Sequence, residues 1–132
     1  MYQIVAGIDA SEDRAAAAAD AITDLPLADD SARVTLLHAF DDGEEGSVED
    51  VPSVRRARDA LAEADLEVTC AGATGDPADA IMERADEVDA DMIVVAGRKR
   101  TPAGKVLFGS VTQSVILGTD RPVFVCSAGE VL

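Results

Sequence analysis

Short apolar runs alternate along the chain with longer amphipathic or alanine-rich stretches. The apolar runs are rich in Val and Ile, as strands buried on both faces are. They cover five segments: Tyr2 to Ile8, Val34 to Phe40, Leu66 to Gly72, Met92 to Ala96 and Pro122 to Ser127. Each is predicted to be a β-strand.

The stretches between these runs predict four helices. The first has Ser11 as its N-cap and ends near Leu25, before Pro26. The second runs from about Ser53 to Ala64, and the third has Asp76 as its N-cap and Pro77 in the first helical position. The fourth begins at Gly109-Ser110 and ends near Gly118.

This alternation of strands and helices predicts one α/β domain over residues 1–132, with a parallel sheet covered by helices on both faces. In such sheets a ligand binds beyond the carboxyl ends of the strands, where the strand order reverses. The turn after the first strand, GIDAS, and the loop after the fourth, GRKRTPAGKVLFGSV, are therefore the candidate ligand-binding segments.

The composition is strongly acidic, with a net charge of -15 over 132 residues. Self-repulsion of this size destabilises a compact state at low ionic strength, and molar salt shortens the Debye length to roughly 3 Å. We therefore interpret the surface as that of a protein from an extreme halophile. The acidity also argues against nucleic-acid binding.

No apolar stretch reaches the roughly 20 residues of a membrane span, and no signal peptide is recognisable, so a cytoplasmic location is expected.

The loop after the fourth strand carries a local cluster of positive charge, formed by Arg98, Lys99, Arg100 and Lys105. It leads into the helix start at Gly109-Ser110, whose first N–H groups have no partner within the helix and favour an anion. The hydroxyls of Ser110 and Thr112 offer further hydrogen bonds. These features suit a phosphate group. The alternative is that Gly109 and Ser110 only cap the helix while the basic side chains are solvated or paired.

The remaining candidates are one carboxylate, one histidine and two cysteines. Asp9, which ends the first strand, either meets a ligand hydroxyl or amino group or helps to cap the first helix beside Ser11. His38 is expected to be a packed neutral histidine. Cys70 and Cys126 are expected to be buried free thiols. No nucleophile with its base, metal-ligand set or carboxylate pair is present, so the residues predict no catalysis.

Taken together, IVAGIDAS, VTLLHAF, GDPADAI, DMIVVAGRKR, FGSVTQSVI and DRPVFVC resemble the universal stress protein family over nearly the whole chain. The resemblance implies a Rossmann-like sheet of five parallel strands in the order 3-2-1-4-5. It also implies a homodimer formed through the last strand, Pro122 to Ser127, and a stress-response function that depends on an unknown protein partner.

The resemblance implies that this chain binds an adenine nucleotide, ATP or AMP with or without Mg²⁺, at the loop after the fourth strand. By resemblance, Asp9 and the preceding Gly7 lie near the adenosine, and the backbone of Ala39 faces the adenine edge. The resemblance further implies that the ribose and phosphates are lined by Gly97, Gly109, Ser110, Val111 and Thr112. The basic side chains of Arg98 and Arg100 are expected, from their charge, to add hydrogen bonds to the phosphates. Slow ATP hydrolysis is the most activity that the resemblance implies.

Two departures from the family pattern lie in this loop. Nucleotide-binding members of the family carry the motif G-x2-G-x9-G-S/T in this loop. Here Arg100 replaces the second glycine of that motif, and only eight residues, TPAGKVLF, separate it from Gly109. These departures keep open an alternative function, a nucleotide-independent dimeric protein-interaction module whose basic loop docks an acidic partner.

Overall fold

A computed structural model of the protein describes residues 1–27, 32–41, 46–97, 99–100, 106–107 and 109–127. The described strands are β1 (Tyr2–Gly7), β2 (Ala32–Phe40), β3 (Glu67–Thr74), β4 (Met92–Gly97), β5 (Lys99–Arg100), β6 (Val106–Leu107) and β7 (Val123–Ser127). The helices are α1 (Glu12–Thr23), α2 (Pro52–Glu63), α3 (Pro77–Val88) and α4 (Ser110–Gly118), and one turn of 3-10 helix precedes α2 at Val48–Asp50.

The main sheet contains five strands in the order β3-β2-β1-β4-β7, and every neighbouring pair is parallel. The predicted order 3-2-1-4-5 is therefore confirmed, with β7 as the fifth strand of the sheet. The order reverses between β1 and β4, because β1 leads to β2 on one side while β4 leads to β7 on the other. Beyond the carboxyl ends of these two strands lies the switch point of the fold.

Each face of the sheet has its own hydrophobic core. On one face, Ile4, Leu36 and Val94 pack with the apolar side chains of α1 and α2. On the other face, Val5 and Ile93 pack with residues of α3 and α4. The predicted layering of helices on both faces is thus confirmed, and the helix pairs α1/α2 and α3/α4 lie on opposite sides of the sheet.

The alanine-rich sequence of α1 allows close helix packing. Ala15, Ala18 and Ala19 are each at most 2% exposed, and small side chains bring helix backbones close to their neighbours. Both predicted N-caps are confirmed, since the side chain of Ser11 accepts a hydrogen bond from Arg14 N and that of Asp76 accepts one from Asp79 N. Such caps each contribute about 1 kcal/mol.

Some element boundaries differ from the predicted ones. Helix α1 ends at Thr23, two residues before the predicted Leu25, and β3 extends beyond Gly72 to Thr74. The antiparallel pair β5/β6 lies within the loop that follows β4 and was not predicted. A two-residue strand is too short for a periodicity signal, which explains why the sequence pattern does not reveal it.

The two cysteines are free, as expected, but only Cys126 is buried; Cys70 is half-buried. Burial raises the pKa of both thiols, and that of Cys126 to about 11. In the part of the chain that the structure describes, no helix has the length and apolarity needed to span a membrane.

Candidate functional site

A cleft of about 460 Å³ lies at the switch point, beyond the carboxyl ends of β1 and β4. Its size falls within the roughly 300 to 1,000 Å³ of small-molecule sites. Helix α1 borders it from one face of the sheet, and α3 and α4 border it from the other. A ligand in this cleft would therefore contact elements from both layers of the fold.

The cleft brings together most of the residues that the sequence predicts for a site. These are Gly7, Asp9, Ala39, Gly109, Ser110, Val111 and Thr112. Gly97 is buried at the end of β4, where it pairs with Ser127, and does not line the cleft. Arg100 lies in β5 and pairs with Val106, and Arg98 lies outside the described residues.

Helix α4 begins at the cleft with a glycine N-cap. Gly109 has an extended backbone, with φ -77° and ψ 168°, and its carbonyl accepts the first helical hydrogen bond, from Gln113 N. The four N–H groups of residues 109 to 112 therefore have no acceptor within the helix. All four of these residues line the cleft, so the positive end of the α4 dipole faces it.

The two hydroxyls at the start of α4 differ in their availability. Ser110 is exposed, whereas Thr112 is buried and its Oγ1 donates to the carbonyl oxygen of Ala96 at 3.3 Å. The proton of the Thr112 hydroxyl is thus used to join α4 to β4. Of the two expected hydroxyl donors, Ser110 is the one that remains for a ligand.

Asp9 is held in a local network at the turn after β1. Its Oδ1 accepts a hydrogen bond from Ser11 N at 2.9 Å, and its Oδ2 accepts one from Arg14 Nε at 2.7 Å. The side chain is 54% exposed, so this carboxylate does not carry the cost of an isolated buried charge. The predicted role beside Ser11 at the helix start is confirmed, and the carboxylate also faces the cleft.

The backbone of Asp9 is fixed from a second helix. Ser53, in the first turn of α2, is fully buried and donates its hydroxyl to the carbonyl oxygen of Asp9. A buried hydroxyl needs such a partner, because an unsatisfied one costs about 1 to 3 kcal/mol. The interaction couples the start of α2 to the turn at the edge of the cleft.

His38 is a packed histidine at the base of the cleft, as expected from the sequence. It is 7% exposed, and its ring meets that of Phe40 edge to face at 4.9 Å. Its Nδ1 lies 2.8 Å from the carbonyl oxygen of Ile8. Because a carbonyl only accepts hydrogen bonds, this contact places the proton of the ring on Nδ1.

Sequence reasoning missed two important cleft residues, Arg14 on α1 and Ile81 on α3. Arg14 follows the Ser11 N-cap by three residues, which directs it back toward the turn that contains Asp9. That spacing is visible in the sequence, whereas the approach of Ile81 to β1 depends on tertiary packing. Within the described residues, no group of three or more His, Cys, Asp or Glu residues has an arrangement that could hold a metal ion.

Comparison with known protein families matches residues 1–127 to the "Universal stress protein family". The stress response protein NhaX of Bacillus subtilis is 41% identical over 51 residues, a segment that spans 39% of this chain and only 31% of that relative.

Two solved structures share the fold over almost their whole length. A universal stress protein in complex with cAMP has 26% identity and a TM-score of 0.72, with 96% of this chain and 97% of that chain covered. The universal stress protein of Archaeoglobus fulgidus in complex with dAMP has 25% identity and a TM-score of 0.67, with 96% and 98% covered.

Proposed function

Because the chain belongs to the universal stress protein family, we propose that it binds an adenine nucleotide, ATP or AMP, in the cleft at the switch point. One observation carries the proposal. All four residues whose N–H groups have no acceptor within α4 line a cleft that also contains Asp9 and Ala39. The cleft therefore combines an anion-binding end with hydrogen-bonding groups for a nucleoside.

In this proposal the phosphate group lies at the start of α4, where it accepts hydrogen bonds from backbone N–H groups and from the Ser110 hydroxyl. Mg²⁺, if it is bound, is coordinated chiefly by the phosphates and by water, as is usual for this ion in nucleotide sites. The adenosine extends toward the turn after β1, where the Asp9 carboxylate accepts from a ribose hydroxyl or an amino group. The backbone of Ala39 faces the adenine edge.

The adenine preference is supported by relatives of the same fold, since two of them, at 25% and 26% identity, are described in complex with dAMP and with cAMP. Both ligands join an adenine base to one phosphate group. The cleft in this chain is lined both by the start of α4, whose N–H groups suit a phosphate group, and by polar groups such as the Asp9 carboxylate, which suit a nucleoside.

We further propose that the protein is a regulatory homodimer of the cytoplasm that reports nucleotide occupancy to a protein partner. In the part of the chain that the structure describes, β7 pairs on one side only, with β4, and an unpaired strand edge is a template for a second chain. The neighbouring helix α4 also exposes Leu117, at 86%. The role proposed here is nucleotide binding.

Isothermal titration calorimetry tests the proposed binding directly. The folded, nucleotide-free protein is titrated in molar KCl with AMP, ATP and GTP, with and without Mg²⁺. We expect micromolar affinity for AMP or ATP and weaker binding of GTP. No heat with any of the three nucleotides would contradict the proposal and would favour the nucleotide-independent interaction module.

A further inference from the structure

Arg14 combines three properties that distinguish it from the other residues of the cleft. It belongs to the lining of the cleft, it is 22% exposed, and it is the only Lys or Arg among the described lining residues. The other charged side chains of this lining, Asp9 and Asp41, are acidic. A phosphate group that enters the cleft would thus meet one permanently cationic side chain from the described lining.

The Arg14 side chain is anchored at one atom. Its Nε donates to Asp9 Oδ2 at 2.7 Å, and within the described residues no hydrogen bond involves either Nη atom. A guanidinium carries five N–H donors in a planar fork, so four of them have no partner in the part of the chain that the structure describes. Anchoring through Nε reduces the conformational freedom that the side chain loses when it binds a ligand.

The anchor itself is well fixed. Asp9 accepts from Ser11 N through its other carboxylate oxygen, and its carbonyl oxygen accepts from Ser53. The turn therefore has contacts to both α1 and α2. Arg14 reaches the cleft from α1, on the face of the sheet opposite to α4. An anion between them would have the guanidinium on one side and the N–H groups of residues 109 to 112 on the other.

We propose that Arg14 is a specificity-determining residue of the cleft, which selects ligands that carry a phosphate group next to the sugar. Its Nη atoms donate charge-assisted hydrogen bonds to the phosphate oxygens of a nucleoside monophosphate or cyclic monophosphate. The Asp9 carboxylate, paired with Nε, remains exposed to accept from the nucleoside. The inference rests on the proposed nucleotide binding. It adds the residue that makes the cleft bind a nucleotide more tightly than the corresponding nucleoside.

The test compares the affinities of AMP and adenosine, measured by calorimetry on the full chain. The variants are Arg14→Gln, Arg14→Lys and a matched control, Arg56→Gln. Arg56 lies on α2, half-exposed, and pairs with Asp13 outside the cleft, so its replacement makes the same change in net charge. Thermal midpoints and far-UV circular dichroism verify that each variant is folded.

We expect Arg14→Gln to lower the affinity for AMP by roughly 10- to 100-fold, the effect of losing charge-assisted hydrogen bonds, and to change that for adenosine by less than about three-fold. Arg14→Lys should keep part of the AMP affinity, because it keeps the charge but not the fork, and Arg56→Gln should resemble the wild type.

Three results would overturn the inference while leaving nucleotide binding intact. They are an unchanged AMP affinity in Arg14→Gln, tighter AMP binding, and equal losses for AMP and adenosine, which would mean that Arg14 acts only by holding Asp9. Failure of the wild-type protein to bind any nucleotide would instead contradict the proposed function, so the two failures are distinguishable.

Discussion

Gly7, the last residue of β1, lies directly beneath the side chain of Ile81 on α3. A Cβ atom at position 7 would meet Ile81 Cδ1 far inside van der Waals contact and Cγ1 at 3.2 Å. Ile81 is 4% exposed and belongs to the core on the α3/α4 face. The absence of a side chain at position 7 therefore allows α3 to approach the sheet at the edge of the cleft.

Replacing Gly7 by alanine should destabilise the protein by about 1 to 3 kcal/mol, the cost of overpacking a filled core. Chemical denaturation measures the loss. The double variant Gly7→Ala/Ile81→Val provides the control, because valine lacks the Cδ1 atom that would clash. We expect the double variant to lose clearly less stability than the sum of the two single variants. Additive losses would mean that this contact does not determine the need for glycine.

The sequence predicts the five strands of the main sheet, the four helices and the N-caps Ser11 and Asp76, because each leaves a local signal of periodicity or capping. It also predicts two segments that meet in the cleft, the turn after β1 and the start of α4, since parallel topology brings the ends of β1 and β4 together. It does not predict the ion pair of Arg14 with Asp9 or the contact of Ile81 with Gly7. The spacing behind the ion pair is local, since Arg14 and Asp9 are five residues apart, but it does not change the hydrophobic pattern. The contact of Ile81 depends on where α3 docks on the sheet.

The backbone at the start of α4 can be tested with a single proline. Ser110→Pro removes one N–H donor, while proline suits the first helical position and the extended ψ of Gly109, 168°, suits a residue that precedes proline. We expect AMP affinity to fall by about ten-fold with little change in thermal midpoint. Ser110→Ala, which keeps the N–H and loses only the hydroxyl, should lose less. Equal affinities of Ser110→Pro and wild type would exclude this N–H from the site.

Ionisation of the Cys126 thiol makes the free energy of unfolding depend on pH in the alkaline range. Burial raises its pKa from 9.0 to about 11, and its Sγ lies 3.6 Å from the carbonyl oxygen of Val95. Between these two values the unfolded chain ionises its thiol while the folded protein does not, so stability falls as pH rises from about 9 to about 11. The slope from this one group approaches 1.4 kcal/mol per pH unit.

Urea denaturation of wild type and Cys126→Ser at pH 8, 9 and 10 isolates this effect, because the other groups that titrate in this range are common to both proteins. The difference in free energy of unfolding between the two proteins should be constant below pH 9. Above pH 9 the wild type should lose stability relative to the serine variant. Parallel pH profiles up to pH 10 would show that the thiol is more accessible to water than the folded structure indicates.

The net charge of -15 predicts that salt stabilises the fold. Raising KCl from 0.1 to 1 M shortens the Debye length from about 10 Å to about 3 Å and so weakens the repulsion among surface carboxylates. We expect the thermal midpoint to rise by several degrees over this range. The part of the rise that comes from charge screening should be nearly complete at 1 M KCl, because screening saturates. Stabilisation by general salting-out would instead continue to grow at higher KCl concentrations. A midpoint that is independent of KCl would contradict the halophilic interpretation.

The proposed dimer depends on the edge of β7 that faces away from β4, its one neighbour in the described sheet, and the sheet offers a matched control at its opposite edge. Val125 is half-buried in β7, and Thr69 is exposed in β3, the other edge strand. Lysine on an edge strand opposes pairing with a second chain, and its aliphatic stem still covers apolar surface. Val125→Lys should raise the dimer dissociation constant at least about ten-fold in sedimentation velocity experiments.

Thr69→Lys makes the same charge change on a strand that the proposal leaves outside the interface, so it should remain as dimeric as the wild type. A dimer that survives Val125→Lys but not Thr69→Lys would move the interface to β3. Because β7 follows α4 directly and pairs with β4, whose carboxyl end borders the cleft, an interface at β7 would join two nucleotide sites through one continuous element. That connection is the physical basis on which nucleotide occupancy in one subunit would reach the other.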